Sequence, residues 1–176
     1  MEGAAEPYPS DLATWWDAKG VGVTIRPIRP SDAPAHAAFF GRLSPEDIRF
    51  RFFSAKRELS DKQLRRLTCV DYAREMALIA VREPSGETVA AARVVRDKDE
   101  HAAEFAIAVE LAMKGRGLGT ELMRRLIDWA RSREVSEIVG EILADNRPML
   151  AFVRRLGFTL HRMTASEDVI EARLRL

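Results

Sequence analysis

The stretch that most restricts the fold is residues 102–131. From 102 to 110, Phe105, Ile107 and Val109 alternate with Glu104, Ala106, Ala108 and Glu110, the period of two of a strand with one apolar face. From Leu118, the residues Leu118, Leu122, Met123, Leu126, Ile127 and Ala130 recur at helical spacing to about Arg131. Between them stands Lys114-Gly115-Arg116-Gly117-Leu118-Gly119. Glycines at such a junction permit positive φ and let a ligand approach bare backbone. The unpaired amides and dipole of the helix start attract anionic oxygens. The expected ligand carries phosphate.

Several readings of the loop compete. A dinucleotide fingerprint needs glycine at position 120, where Thr120 stands, and a repeating βαβ array, which is missing. A P-loop needs Gly-Lys-Ser/Thr to close it, also missing. A pyrophosphate cradle for coenzyme A remains, beside a glycine-rich turn with no ligand.

Upstream, Trp15-Trp16, Lys19-Gly20 and 21–26 read as a hairpin whose strand ends before Pro27. Ser31 and Asp32 precede an amphipathic helix with a side-chain cap, Ser44-Pro45 starts a second, and Ser60 with Gln63 forms a capping box for a third. Strands follow at 76–82, 87–97 and 102–110, then the helix after the glycines, a strand at 136–143, a helix at 147–156 stopped by Gly157, and final strands at 158–164 and 169–174. The order predicts a mixed α/β domain around a sheet. Met1 to Ser10 reads as a mobile leader.

A chain of 176 residues, 47% hydrophobic and 31% charged, suits one ordered domain. With 28 basic against 27 acidic residues the net charge is +1, which argues against nucleic-acid binding through bulk charge. The single cysteine, Cys69, allows no internal disulfide and is expected as a small buried apolar residue; His36, His101 and His161 lack ligand spacing, so no metal is expected. No run is long enough to span a bilayer, and no signal peptide is visible, so a cytoplasmic protein is expected.

Two blocks carry a family resemblance. Lys114-Gly115-Arg116-Gly117-Leu118-Gly119 is similar to the coenzyme-A signature of the GNAT superfamily of N-acetyltransferases, with Lys114 in a place that family gives to Arg or Gln. The stretch from Asn146-Arg147-Pro148 to Leu156-Gly157-Phe158 resembles its Asn-to-Gly-Phe block. The likeness covers about 23–176, with 1–22 as leader and start of the hairpin. It implies a GNAT fold with a central mixed, mostly antiparallel sheet of about seven strands flanked by helices. Within the superfamily, 25–32, Leu43 to Asp47, 49–53, Asp71-Tyr72, 74–77 and 103–106 most resemble the acetyltransferase domain of Pat-type bacterial protein lysine acetyltransferases.

The resemblance implies acetyl-CoA as cosubstrate, met by Lys114, Gly115, Arg116, Gly117, Leu118, Gly119 and Thr120, by backbone near Val109 and Leu111, and by Asn146, which equally suits a helix cap. A lysine amine with pKa ~10.4 is almost wholly protonated at neutral pH, so transfer needs a base. Glu104 matches the family's general-base position, and Glu141 is the second candidate; each also reads as a solvated strand carboxylate. Many family members carry an acidic tyrosine where Val153 stands. The Arg49, Arg51, Phe52 and Phe53 cluster suits an acceptor groove or an ordinary helix face. The expected activity is acetylation of a protein lysine, with an acyl-CoA synthetase as partner. Alternatives are a small amine or N-terminal acceptor, or a non-catalytic acetyl-CoA sensor.

Overall fold

The computed structural model describes residues 6–55 and 58–176. Eight strands, β1 (Thr14–Asp17), β2 (Gly22–Pro27), β3 (Glu75–Arg82), β4 (Thr88–Arg96), β5 (Ala102–Val109), β6 (Glu137–Leu143), β7 (Thr159–Met163) and β8 (Ser166–Arg175), form one sheet in the order β1-β2-β3-β4-β5-β6-β8-β7. The count exceeds the expected seven or so because four-residue β1 pairs fully with β2. β2 also runs through Pro27, after which Ile28 N–H continues the pairing to Ala77. The helices are α1 (Ala33–Arg42), α2 (Pro45–Phe52), α3 (Asp61–Thr68), α4 (Leu118–Ser132) and α5 (Arg147–Arg155).

Both faces of the sheet centre are covered, and the sequence shows why. In β3, Met76, Leu78 and Ala80 join the large core with Leu118, Leu122 and Leu126 of α4, while Ala77, Ile79 and Val81 turn to the opposite face. A strand buried on both sides reads as a continuous apolar run. On β5, Phe105 and Ile107 join the α4 core, and Ala108 faces Phe39, Phe40, Leu43 and Ile48 at α1 and α2.

Local signals resolve as hydrogen bonds in α2 and α3: Ser44 Oγ accepts from Asp47 N–H at 3.1 Å, and the Ser60–Gln63 box closes in both directions. Asp32 differs. It does not cap α1 with its side chain, because its carboxylate takes the Arg26 guanidinium at 2.6 and 2.7 Å and Arg29 N–H at 2.9 Å. Cys69 is exposed at the end of α3, since the helix's apolar stripe turns other residues inward. The expected leader is docked over its described part: Glu6 holds Arg133 at 2.6 Å and Tyr8 Oη donates to Pro27 O at 2.7 Å, while 1–5 lie outside the described residues.

On the buried face of α1, His36 is 6% exposed and its Nδ1 has no partner among the described residues. Burial, then the charges of Arg93 and Arg51, push its imidazole down to about 4, with Asp32 opposing. An unfolded histidine ionises near pH 6.5, so between there and about 4 the unfolded chain binds the extra proton, and stability falls as pH falls. The stability difference between wild type and His36→Gln should therefore shift by about 2 kcal/mol against wild type from pH 7 to pH 5 in denaturant titrations. A difference that stays constant would contradict a neutral buried histidine.

Candidate active site

The sheet opens where β5 meets β6. These two run parallel and pair only from Ala102–Glu104 to Glu137–Val139, whereas β4 holds β5 as far as Val109 and β8 holds β6 as far as Leu143. Pairing stops where the Phe105 ring covers Gly140, and a Cβ on Gly140 would overlap that ring. Beyond this point the strands border a cavity of about 680 Å³. Ala102 O and Glu110 N–H bond on the β4 side, so alternation aims the N–H and C=O groups of Ile107 and Val109 into the gap. Such groups need partners, which an extended amide-bearing chain provides.

At the open end of the gap lies the glycine loop. Gly115 has φ +75° and Gly117, the N-cap of α4, has φ +80°, a region that costs an ordinary L-residue strain. The ladder of α4 begins with Glu121 N–H to Gly117 O at 3.1 Å, so the amides of Leu118, Gly119 and Thr120 precede it at the positive end of a 15-residue helix. Nothing lies within 4 Å of a Cβ built on Gly115, whereas one on Gly119 would touch Phe152 at 3.4 Å and Ile107 at 3.6 Å. The loop offers amides to phosphate oxygens and the gap offers strand pairing to an amide-bearing arm. Coenzyme A has both groups, and the residues fit it.

The expected coenzyme residues separate here. Val109, Lys114, Gly115, Gly117, Leu118, Gly119, Thr120 and Asn146 all line the cavity. Leu111 does not; it opens the 3-10 turn Leu111–Met113 and is 70% exposed. Arg116 also turns away, its guanidinium donating to Ala18 O at 3.3 Å and Lys19 O at 3.0 Å, while Lys19 Nζ returns a bond to Gly115 O at 3.1 Å. The turn between β1 and β2 thus grips the loop from behind. The ammonium of Lys114 is met by Asp47 of α2 at 2.6 Å. Asn146 caps α5, its Oδ1 accepting from Met149 N–H at 3.3 Å, and is buried in the cavity wall.

Glu104 and Glu141 share one face. Glu104 alternates with Phe105 to the α2 side; its register partner is Val139, and Glu141 lies two residues further on β6. Both line the cavity and neither has a hydrogen-bond or ion-pair partner among the described residues. Across β8, Glu171 stands opposite Glu141, but its carboxylate is held by Arg173. Helix α2 roofs this face: besides Asp47–Lys114, Arg49 reaches Asp145, just before α5, at 2.5 Å. Arg51, Phe52 and Phe53 of the expected cluster line the cavity, with Phe50 beside them, while Arg49 does not. Asp47, which lines the cavity, and Asp145, which holds Arg49 of α2, escape sequence patterns because 67 and 96 positions separate them from Lys114 and Arg49. Val153 is fully buried, and no hydroxyl stands there for a leaving thiol.

A splayed parallel pair over a glycine-rich helix start, with free carboxylates at its closed end, defines an acyl-CoA-dependent transferase site. The chain belongs to the acetyltransferase (GNAT) family, whose sequence profile matches residues 43–158, and it is an acyl-CoA-dependent N-acetyltransferase with the GNAT fold. Enzymes of this family use acetyl-CoA. The chain is 34% identical over 145 residues to an acetyltransferase of Pseudomonas aeruginosa, covering 81% of this chain and 78% of that protein. It is 31% identical over 152 residues to acetyltransferase Pat of Mycolicibacterium smegmatis, covering 86% of this chain but 44% of that longer protein. The crystal structure of the GNAT domain of S. lividans PAT superposes with a TM-score of 0.88 at 26% identity, covering 97% of this chain and all of that one. Among the described residues, no group of three or more His, Cys, Asp or Glu could hold a metal, and no helix is long and apolar enough to cross a membrane.

Proposed function

We propose that this enzyme acetylates a lysine side chain of a protein, an acyl-CoA synthetase being the substrate class, with Glu104 as general base. The observation that carries the reading is the placement of two unpaired carboxylates, Glu104 and Glu141, on one face of the same cavity as the glycine loop. The sequence resemblance to Pat-type bacterial protein lysine acetyltransferases supports the lysine acceptor, and the similarity to acetyltransferase Pat and to the GNAT domain of S. lividans PAT is consistent with that resemblance.

Bound acetyl-CoA supplies the acetyl thioester. The amides of Leu118, Gly119 and Thr120 take its phosphate oxygens, and the backbone of Ile107 and Val109 pairs with its amide arm. Glu104 accepts a proton from the lysine ammonium, directly or through one water, leaving a nucleophilic amine. Glu141 attracts the same cation electrostatically. As the C–N bond forms and the C–S bond breaks, the nitrogen gives up its second proton through water to the departing thiolate, whose thiol pKa of ~8.5 requires no enzyme acid, consistent with Val153. With no activated Cys or Ser in the cavity lining, attack is direct and no acyl-enzyme forms.

Thiol release from acetyl-CoA, measured against small amines, peptides and acyl-CoA synthetases, tests this. The expected result is turnover with a synthetase and, by mass spectrometry, an acetyl group on one of its lysines. Turnover confined to small amines or N-termini would overturn the acceptor, and binding without thiol release from any acceptor would leave a sensor.

A further inference from the structure

We infer that Arg51 binds a carboxylate that the acceptor carries beside its amine, so that the enzyme selects amines next to an acidic group and, in a protein, a lysine flanked by Asp or Glu. This rests on the acetyl-transfer reading above and specifies the acceptor's chemistry.

The charges of α2 along the cleft are otherwise matched. Asp47 has Lys114, and Arg49 has Asp145. Arg51 has no hydrogen bond or ion pair among the described residues, and its guanidinium lies 4.7 Å from the Phe52 ring centroid. It nevertheless lines the cavity together with Glu104. On its other side is a space of about 30 Å³ shared with His36 and Arg93, room for about one water molecule and too little for a second ligand. Burial and the charge of Arg93 lower the pKa of Arg51 to about 10, with Glu104 opposing. Arg93 itself is compensated, by Glu75 at 3.6 Å and Leu67 O at 2.7 Å. Arg51 is half-buried and opposed only through space by Glu104, with no anion hydrogen-bonded to it among the described residues, and an anion entering the cleft would complete its pairing.

The phosphates of the donor are poorly placed for this. They belong with the glycine loop, which meets α2 at Asp47, and Arg51 stands a helical turn further on, ~6 Å along the axis. What enters beside Glu104 and Arg51 is the acceptor. Its ammonium suits Glu104 and Glu141, and its carboxylate suits a guanidinium, whose fork binds both oxygens and fixes orientation.

The test uses the full chain, acetyl-CoA and matched acceptors: a lysine peptide with Asp or Asn beside the lysine, and free lysine against lysinamide. Wild type should favour the carboxylate-bearing member by ~10- to 100-fold in kcat/KM, mainly through KM, the range for a charge-assisted bond. Arg51→Gln should bring that ratio near one, and Arg51→Lys, which keeps the charge but not the fork, should recover part of it. Equal kcat/KM within each pair in wild type overturns the inference while leaving acetyl transfer intact. If only the small amines react, the protein acceptor fails, yet lysine against lysinamide still scores Arg51. Preference for succinyl-CoA over acetyl-CoA with the Asn peptide, lost in Arg51→Gln, would move the carboxylate to the donor and overturn the acceptor assignment. No thiol release from any acceptor overturns both readings.

Discussion

Gly117→Val should weaken acetyl-CoA binding by at least ~100-fold in calorimetry, whereas Gly117→Asn should stay within ~10-fold of wild type. The contrast separates backbone conformation from bulk. Gly117 sits at φ +80° as the residue that turns the loop into α4. Asparagine reaches this left-handed region at little cost, and a β-branched residue is a genuine outlier there. Valine would swing the junction out of line and turn the amides of Leu118, Gly119 and Thr120 away from the phosphates. A Cβ at 117 would lie 3.6 Å from Trp16, an ordinary contact, so asparagine need not collide with the hairpin. The strain is a local ~1–2 kcal/mol, which for a chain of this size lowers Tm by only several degrees. Both variants should therefore stay folded, and a melting curve checks it. Binding that survives Gly117→Val would refute the loop as the phosphate site, and equal losses in both variants would refute conformation as the cause.

Short-period information was readable in advance. Alternation along 104–109 placed Glu104 and Ala108 on one face and Phe105 and Ile107 on the other, as the cores confirm. The caps at Ser44, Ser60 and Asn146 follow from residue types a few positions apart. What escaped depends on chain returning from far away. Lys114 reads as a free cation until Asp47 appears beside it, and Arg116 as a phosphate ligand until the carbonyls of Ala18 and Lys19 claim it. Docking of Glu6 on Arg133 likewise needs α4 to end beside the first strands. The gap between β5 and β6 has a local trace only in hindsight: Gly140 is the residue with room for Phe105, and nothing in either strand alone pairs the two. Composition, near neutral overall, could not show that cations around the loop are already matched by protein groups. In the structure Lys114 and Arg116 are so held, whereas the amides of Leu118, Gly119 and Thr120 precede the α4 ladder.

Glu104→Gln should cut kcat by at least ~10²-fold while leaving acetyl-CoA affinity close to wild type, because a base acts on the acceptor's proton and the donor is held elsewhere. The isosteric amide keeps size and polarity on a half-open wall, so folding should not change. Its pH profile is the sharper readout. Without a base the reaction depends on amine that is already neutral, whose fraction rises tenfold per pH unit up to a pKa of ~10.4. The variant's rate should climb steadily with pH and approach wild type in alkali, whereas the wild-type rate should depend far less steeply on pH. Glu141→Gln should act differently: electrostatic attraction raises occupancy by the cation, so its loss should appear mainly in KM and weaken further with salt. If Glu141→Gln instead shows the large kcat loss and the steep alkaline climb, the two carboxylates exchange roles. If neither variant does, proton removal falls to water alone, and the unpaired carboxylates serve only to gather the amine.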